Sequence, residues 1–303
     1  MYDFIGDIHG HADELEQLLV KLGYQKNEDI YSHPSRKVFF LGDFIDRGPQ
    51  IKETLQIAKA MVDSGNAVAI MGNHEYNAIC FHLQDTEGGH FRKHSIKNIL
   101  QHVETLKQFQ NNQHDYEMYI EWFMTLPLFF EDEHFRTVHA CWDDQNIIVL
   151  KNYLTDGKLS EENICISTMK NTELHRAVEE ILKGKEIKMP KGLSFNDKDG
   201  NVRNDIRIKW WDDPSKETFK TYSIISLENL PDLPINNEII KNSNFYKDKE
   251  KPVFFGHYWL SGNPSIIKHN VCCLDFSVAK GGDLVAYRFD NETELINGKI
   301  EFV

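Results

Sequence analysis

Acidic side chains and histidines recur beside glycines in several short segments of this chain. The segments are GDIHG at 6–10, GDFIDRG at 42–48, GNHE at 72–75 and FGH at 255–257, and a further histidine follows an apolar run at 135–138. Carboxylate, imidazole and amide donors without thiolates are typical of sites for Mn, Fe, Zn and similar divalent ions. The candidate metal ligands are Asp7, His9, Asp43, Asn73, His139 and His257.

Six ligands are enough for two metal ions, provided that one carboxylate bridges them. Two ions about 3.5–4 Å apart can hold a phosphate group, stabilise an in-line displacement at phosphorus and lower the pKa of a bridging water. The net charge of −13 would repel an anionic substrate, and bound metal ions supply the local positive charge that such a substrate needs. The donor set therefore indicates chemistry on a phosphate group.

The composition argues against several other classes of protein. With 41% hydrophobic and 12% aromatic residues, the 303-residue chain can bury a large core. Nucleic acid and anionic membranes both need a basic partner surface, which the net charge of −13 disfavours. Five cysteines without a C-x-x-C pair disfavour a disulfide scaffold and a structural zinc site. Since the chain has no run of 18 apolar residues and no secretory leader pattern, we predict a soluble, cytoplasmic protein.

Strands and helices alternate in the first part of the chain. Apolar runs at 2–6, 37–42 and 67–72 predict buried strands, and each run leads into one of the glycine-marked segments. Apolar residues at helical spacing follow the first two runs, with Pro49 in the first turn of the second helix. This alternation predicts an α/β fold with a largely parallel sheet, and ligands bind at the carboxyl ends of strands in such sheets.

The second half of the chain is less regular. A strand pattern restarts at 135–141 and again from residue 252, and the last ten residues resemble a hairpin with Asn297-Gly298 as its turn. The Lys-, Asn-, Glu- and Asp-rich region at about 150–250 predicts the loops and helices of an insertion, most simply a solvated one. Such a region could equally shape the choice of substrate.

The five segments, in this order, resemble the signature blocks of the calcineurin-like metallophosphoesterase superfamily. The DRG of the second block and WWDDP at 210–214 resemble the phosphoprotein phosphatase branch, whereas the stretch from FFGHYWLSG at 254–262 onwards resembles the tail of diadenosine tetraphosphatases. The resemblance implies a central β-sandwich flanked by helices. It also implies a single metallophosphoesterase domain over residues 1–303, with a variable insertion at about 150–250.

The resemblance also implies a role for each residue. Asp7 and His9 would bind the first metal ion, Asp43 would bridge both, and the remaining three ligands would bind the second. His74 would be the general acid, with Asp46 as its carboxylate partner, and Arg47 would bind phosphate oxygens. The residue types agree, because a guanidinium suits phosphate and a carboxylate beside a histidine suits proton transfer. The donor types favour Mn for the two implied ions, with Fe or Zn as alternatives.

Three functions are consistent with these features. The first is a phosphomonoesterase of protein-phosphatase type that uses a water activated by two metals, with a phosphorylated protein or peptide as substrate. The second is a hydrolase of dinucleoside polyphosphates such as diadenosine tetraphosphate, with a nucleotide substrate. The third is a non-catalytic binding module on the same fold, which predicts missing ligands. None of the six expected ligands is missing from the sequence.

Overall fold

Short strands and helices alternate along the chain, of which the computed structural model describes residues 1–85, 88–190, 192–196, 202–224 and 230–303. The strands are β1 Tyr2–Ile5, β2 Gln25–Asn27, β3 Ile30–Ser32, β4 Lys37–Phe40, β5 Ala67–Ala69, β6 Phe129–Glu131, β7 Arg136–Val138, β8 Glu186–Lys188, β9 Phe195–Asn196, β10 Val202–Arg203, β11 Asp205–Arg207, β12 Val253–Phe255, β13 Val271–Cys273, β14 Asp275–Phe276, β15 Asp283–Phe289 and β16 Ile300–Phe302. The helices are α1 Ala12–Lys21, α2 Ile51–Asp63, α3 Asn73–His82, α4 Ile96–Phe109, α5 Gln113–Met124, α6 Asp144–Tyr153, α7 Glu161–Thr168, α8 Glu173–Lys183, α9 Phe219–Tyr222 and α10 Asn237–Asn242. In this described part, no helix combines the length and the apolar character needed to cross a bilayer.

Two mixed sheets form the centre of the fold. The first has the order β14-β15-β1-β4-β5, with β16 paired to β15, and the second has the order β13-β12-β7-β6. Strands β1, β4 and β5 are parallel in the first sheet, and β7, β12 and β13 are parallel in the second, with antiparallel strands at the edges. The predicted β-sandwich flanked by helices is confirmed, and the parallel part expected from the sequence is divided between the two sheets.

Aromatic side chains fill the space between the two sheets. The rings of Phe4 on β1 and Phe254 on β12 stack with centroids 3.8 Å apart, and Phe39 and Phe135 pack around them. All four are fully buried. Burying each such side chain contributes roughly 1.5–3 kcal/mol to the stability of the fold. This layer therefore holds the two sheets, and the turns at their strand ends, at a constant separation.

Helices α1 and α2 cover the outer face of the first sheet. Leu15, Leu18 and Leu19 form the buried stripe of α1 at the spacing that the sequence predicts. Helix α2 begins at Ile51, so Pro49 lies just before the helix rather than in its first turn. The reason is tertiary: the backbone N–H of Gln50 donates to Gly10 O at 2.9 Å, which ties this turn to the first glycine-marked segment.

The region at 150–250 is only partly a solvated insertion. Ile164 of α7 and Val178 and Ile181 of α8 are fully buried in the main core, so the solvated interpretation is wrong for these helices. A smaller separate cluster forms beyond them, around Ile206 and Tyr222. Residues 191, 197–201 and 225–229 of the predicted insertion lie outside the described residues. The single-domain organisation of residues 1–303 stays a prediction.

The C-terminal hairpin differs from the prediction. Strand β16 pairs antiparallel with β15, with Val285 opposite Phe302, and Asn297–Lys299 form a 3-10 turn before β16 instead of a tight hairpin turn. The turn is long because Leu295 packs into the core and its backbone N–H donates to His269 O at 2.6 Å. All five cysteines are free thiols, as predicted.

Candidate active site

The sequence-predicted ligands all follow the carboxyl ends of parallel strands. Because β1, β4 and β5 are parallel to one another, β7 and β12 are parallel to one another, and the two sheets stack, these ends meet at one edge of the sandwich. Asp7 and His9 follow β1, Asp43 follows β4, Asn73 follows β5, His139 follows β7 and His257 follows β12. All six side chains are at least 92% buried.

Distances confirm that these segments converge. His257, in the last segment, donates its backbone N–H to Asp7 Oδ2 at 3.0 Å. The Nε2 atoms of His9 and His139 lie 3.5 and 3.4 Å from Asp43 Oδ2. Residues 250 positions apart in the chain are therefore direct neighbours.

The described residues contain two groups of donors close enough to hold a metal ion. His9, Asp43 and His74 form one group, and Asp43, His139 and His257 form the other, each with ligand atoms within 4.8 Å of one another. Asp43 belongs to both, as expected of a bridging carboxylate. Asn73 Oδ1 lies 3.2 Å from His139 Nε2, beside the second group.

The histidines are oriented as metal ligands are. His9 Nδ1 donates to Ile45 O at 2.9 Å, and His139 Nδ1 donates to Leu41 O at 2.8 Å. A carbonyl accepts only, so Nδ1 carries the proton in both rings and Nε2 has a free lone pair. The Nε2 atoms of His9 and His257 are buried without a hydrogen-bond partner among the described residues, an arrangement that fits a metal ion.

The carboxylates of the site repel one another. Burial and the nearby charges of Asp275 and Asp43 raise the pKa of Asp7 well above its usual value. Burial and Asp43 also raise the pKa of Glu75 to about 7. Since like charges this close disfavour ionisation, a cation placed between them would lower the free energy of the site.

The backbone is strained where it presents these side chains. Positive φ values occur at His9 (49°), Asp43 (54°) and His257 (75°), and also at Asp46 (70°) and Arg47 (69°). Such a conformation costs a non-glycine residue roughly 1–2 kcal/mol. Strain of this kind persists only where the surrounding structure imposes it, and it concentrates at functional sites.

Glycines in the same segments make room for carboxylates from other segments. A Cβ atom on Gly256 would lie 1.9 Å from Asp7 Oδ1, and one on Gly72 would lie 2.2 Å from Asp43 Oδ1. Any side chain at these two positions would displace a candidate ligand. The glycines are therefore required by close approach across the site, and their own φ values do not explain them.

Glu75 is a buried residue for which the sequence analysis assigned no role. Its two carboxylate oxygens accept the backbone N–H groups of Asp43 and Phe44, both at 2.8 Å, and of Gly72 at 3.0 Å. It therefore holds the turn that carries the shared ligand against the start of α3. In the sequence, the glutamate of the GNHE segment pointed to this position, although nothing in the sequence showed which groups it contacts.

A hydrogen-bond network surrounds the predicted acid–carboxylate pair. His74 Nδ1 lies 2.5 Å from Asp46 Oδ2, as predicted. Asp46 Oδ1 accepts hydrogen bonds from His102 Nδ1 at 2.7 Å and Thr105 Oγ1 at 2.6 Å, and His102 Nε2 contacts the Tyr116 hydroxyl at 2.7 Å. Sequence reasoning missed the last three residues, which lie on α4 and α5 in a polar stretch without a motif.

This network sets the charges of the pair. Burial disfavours the charged form of His74, but the carboxylates of Asp43 and Asp46 outweigh it and raise the pKa of His74. Burial also acts against the Asp46 carboxylate, but the hydrogen bonds from His102 and His74 lower the pKa of Asp46. Both shifts favour the imidazolium and carboxylate forms of the pair, the forms required of a proton donor and its orienting partner.

Arg47 lies at the mouth of the site against an aromatic ring. Its guanidinium carbon is 4.5 Å from the centroid of the Trp259 ring, and the same ring stacks on His9 with centroids 5.5 Å apart. Asp275 Oδ2 accepts the backbone N–H of Trp259 at 2.6 Å, which fixes the ring in place. An indole in contact with a guanidinium stabilises it and limits its orientations.

A cleft of about 580 Å³ opens above the candidate metal ligands. Asp43, Asn73, His74 and His257 lie among its lining residues. Its walls also carry cationic side chains, of which only the first was singled out by the sequence analysis: Arg47, Arg92, Lys97, Lys183, Arg203 and Arg207. A protein with a net charge of −13 thus concentrates positive charge where an anionic substrate would enter.

Metal binding at this site should release protons and weaken in acid. Burial opposes a proton on His139, but Asp43 outweighs burial and raises the pKa of His139 in the metal-free protein. A metal ion must displace that proton from Nε2, so Mn²⁺ affinity should fall as the pH decreases through this raised pKa. Calorimetric titration with Mn²⁺ in two buffers of different ionisation enthalpy measures the protons released. Identical binding enthalpies in the two buffers at neutral pH would mean that no proton is released, which would contradict displacement of a proton from His139.

Comparisons with known proteins agree with this geometry. A family model described as calcineurin-like phosphoesterase matches residues 2–261. The chain is 28% identical over 300 residues to the symmetrical bis(5'-nucleosyl)-tetraphosphatase of Buchnera aphidicola subsp. Baizongia pistaciae, and the match covers 95% of each protein.

Other relatives match over shorter segments. The chain is 43% identical over 74 residues to the asymmetrical bis(5'-nucleosyl)-tetraphosphatase PrpE of Halalkalibacterium halodurans, which covers 24% of this chain and 30% of that protein. It is 33% identical over 141 residues to the PrpE protein of Oceanobacillus iheyensis, which covers 46% of this chain and 54% of that protein. The chain thus spans about a third to a half of the length of these two relatives.

Proposed function

The chain belongs to the calcineurin-like phosphoesterase family, and we propose that it hydrolyses dinucleoside polyphosphates at a centre of two divalent metal ions. Its membership, together with the complete set of six candidate ligands, supports a phosphoester hydrolase over the non-catalytic module. The observation that carries the proposal is that two donor groups share Asp43 at the base of a cleft lined by six cationic side chains.

The donors favour Mn²⁺, with Fe or Zn as alternatives, since they are imidazole, amide and carboxylate groups without thiolate. In the proposed assignment Asp7 and His9 hold one ion, Asn73, His139 and His257 hold the other, and Asp43 holds both. Two ions bound there supply an activated water and neutralise charge on the phosphate.

The remaining residues act on the substrate directly. Arg47, supported by Trp259, binds two phosphate oxygens through the planar fork of its guanidinium. His74 donates the proton from Nε2 to the leaving oxygen as the P–O bond breaks, because its Nδ1 is held by Asp46. A leaving group that departs protonated departs more readily, and such proton donation contributes about 10²- to 10⁴-fold to the rate.

The relative that matches along 95% of its length supports a dinucleoside polyphosphate as the substrate, since it is named as a symmetrical tetraphosphatase. A cleft with several cations suits a substrate with several phosphates. The second candidate is the phosphomonoesterase of protein-phosphatase type that the sequence analysis ranked first. The Asp46–His74 pair and the adjacent Arg47 favour it, because both suit a single phosphate with a poor leaving group.

A substrate panel distinguishes the two candidates. With Mn²⁺ supplied, we expect kcat/KM for diadenosine tetraphosphate to exceed that for phosphoserine and phosphotyrosine peptides by at least about tenfold, because only the former has further phosphates that can contact the other cationic side chains of the cleft. Chromatography of the nucleotide products measures the first activity and released phosphate the second. The Asp43→Asn protein, purified in parallel, controls for contaminating phosphatases. Faster turnover of the phosphopeptides would support the second candidate instead.

A further inference from the structure

One face of α3 connects the metal ligands with a more distant part of the cleft. Asn73, Asn77 and Phe81 all line the cleft at intervals of four residues, so they lie along one side of the helix. At a rise of about 1.5 Å per residue, the first and last of them are about 12 Å apart along the helix axis. Near the far end, the backbone N–H of Arg92 donates to Cys80 O at 2.7 Å, and Arg92 also lines the cleft.

The Arg92 side chain is held in place by neutral groups. It is half-buried, and its Nη2 donates to Gln101 Oε1 at 2.6 Å and to Asn98 Oδ1 at 3.2 Å. Its Nε and Nη1 atoms have no hydrogen-bond partner within the described residues. An arginine fixed by amide oxygens keeps its full charge and has donors to spare for an anion.

The cationic side chains of the cleft differ in whether a carboxylate forms an ion pair with them. Lys183 forms an ion pair with Glu179, and Arg207 forms one with Glu186 at 3.3 Å. Arg92 and the exposed Lys97, at the start of α4, form no ion pair with any carboxylate that the structure describes. The side of the cleft between α3 and α4 thus carries two cationic side chains that are not engaged in a direct ion pair with a described carboxylate.

We propose that Arg92 and Lys97 form a second anion subsite, which binds a phosphate group beyond the one at the metal centre. The inference rests on the proposed function, because it places the rest of a phosphate chain along α3. The chemistry it recognises is a chain of linked phosphates, whether inorganic or attached to nucleosides. A single orthophosphate at the metal centre, beside Arg47, does not extend along α3 to Arg92.

Competition against a substrate with one phosphate tests the subsite. Hydrolysis of p-nitrophenyl phosphate is followed at constant free Mn²⁺, with orthophosphate or tripolyphosphate as inhibitor. In Arg92→Met, the ratio of the tripolyphosphate Ki to the orthophosphate Ki should rise about 10- to 100-fold, the loss expected for charge-assisted hydrogen bonds. Lys97→Met should raise the same ratio by about threefold, since an exposed charge contributes less.

Lys93→Met is the matched control. It removes the same charge one residue away, from an exposed side chain that does not line the cleft, so its ratio should equal that of the unsubstituted protein. An unchanged ratio in both Arg92→Met and Lys97→Met would overturn the proposal. An equal rise of both Ki values in these variants would also overturn it, because the residues would then act on the first phosphate. If Arg92→Met folds poorly, Lys97→Met carries the test, as the Lys97 side chain is exposed.

Diadenosine tetraphosphate forms the second arm of the experiment and is used as a competitor in the same assay. A parallel increase of its Ki in Arg92→Met shows that the subsite takes phosphates attached to nucleosides, whereas an increase for tripolyphosphate alone assigns it to inorganic chains. This readout does not require that diadenosine tetraphosphate be hydrolysed. The test of the subsite therefore does not depend on whether the protein hydrolyses dinucleoside polyphosphates, and the two proposals can fail separately.

Discussion

Replacing Asp43 by Asn should remove both metal ions and reduce kcat/KM by at least about 1,000-fold. Asp43 is the one residue common to both donor groups, and its Oδ2 lies 3.5 Å from His9 Nε2 and 3.4 Å from His139 Nε2. An amide is a weaker ligand and carries no charge, so neither group keeps its carboxylate. Loss of charge stabilisation worth several kcal/mol, at about 1.36 kcal/mol per tenfold in rate, accounts for the size of the effect.

Elemental analysis of the purified protein, together with kcat/KM for p-nitrophenyl phosphate, measures this result. Asparagine still accepts the backbone N–H of His74 through Oδ1, so the turn should remain folded. Asp143→Asn is the matched control: Asp143 is also buried, it caps α6 outside the cleft, and asparagine caps helices equally well. The substitution also breaks the ion pair of Asp143 with Lys185, so it tests whether the loss of a buried carboxylate elsewhere is enough to reduce activity. Full occupancy of both metal sites in Asp43→Asn would refute a bridging role.

Replacing His74 by Asn should slow the hydrolysis of poor leaving groups by about 10²- to 10⁴-fold while both metal ions stay bound. His74 Nδ1 is fixed by Asp46, and although burial lowers the pKa of His74, the nearby carboxylates outweigh burial and raise it. A leaving group that is already a weak base needs no proton. The loss should therefore be much smaller for p-nitrophenyl phosphate than for phenyl phosphate.

The dependence of kcat on leaving-group basicity, measured with a series of aryl phosphates, separates proton donation from metal binding. His82→Asn serves as the control, because it makes the same change two turns further along α3 and outside the cleft. The competing interpretation is that His74 is a metal ligand, since its Nε2 lies 3.9 Å from Asp43 Oδ2 in one donor group. Loss of a metal ion in His74→Asn, with equal effects on all leaving groups, would establish that interpretation.

Much of the site was predictable because its residues stand in strongly patterned positions. Each candidate ligand follows a short strand, and helix capping by aspartate does not explain why histidine and asparagine recur beside it at several strand ends. The Asp46–His74 pair was predicted from the resemblance to the superfamily, and its contact is present at 2.5 Å. The assignment of the individual ligands to two metal ions stays a prediction.

The residues that were missed lie in segments without such a pattern. His102 and Thr105 contact Asp46 from 56 and 59 positions along the chain, on a helix whose sequence reads as a solvated one. Arg92 lies in an irregular segment and lines the cleft only because α3 ends beside it. The region that contains α7 and α8 was predicted to be solvated because it is rich in Lys, Asn, Glu and Asp, although Val178 and Ile181 pack into the main core.

The sequence by itself determined the chemistry, since metal affinity and proton transfer depend on which donor atoms are present and on the strand ends that carry them. Only the tertiary structure decided which residues support those donors and which cations face the substrate. Such contacts join distant segments of the chain, and they depend on how two sheets and their helices pack. No spacing along a single strand or helix contains that information.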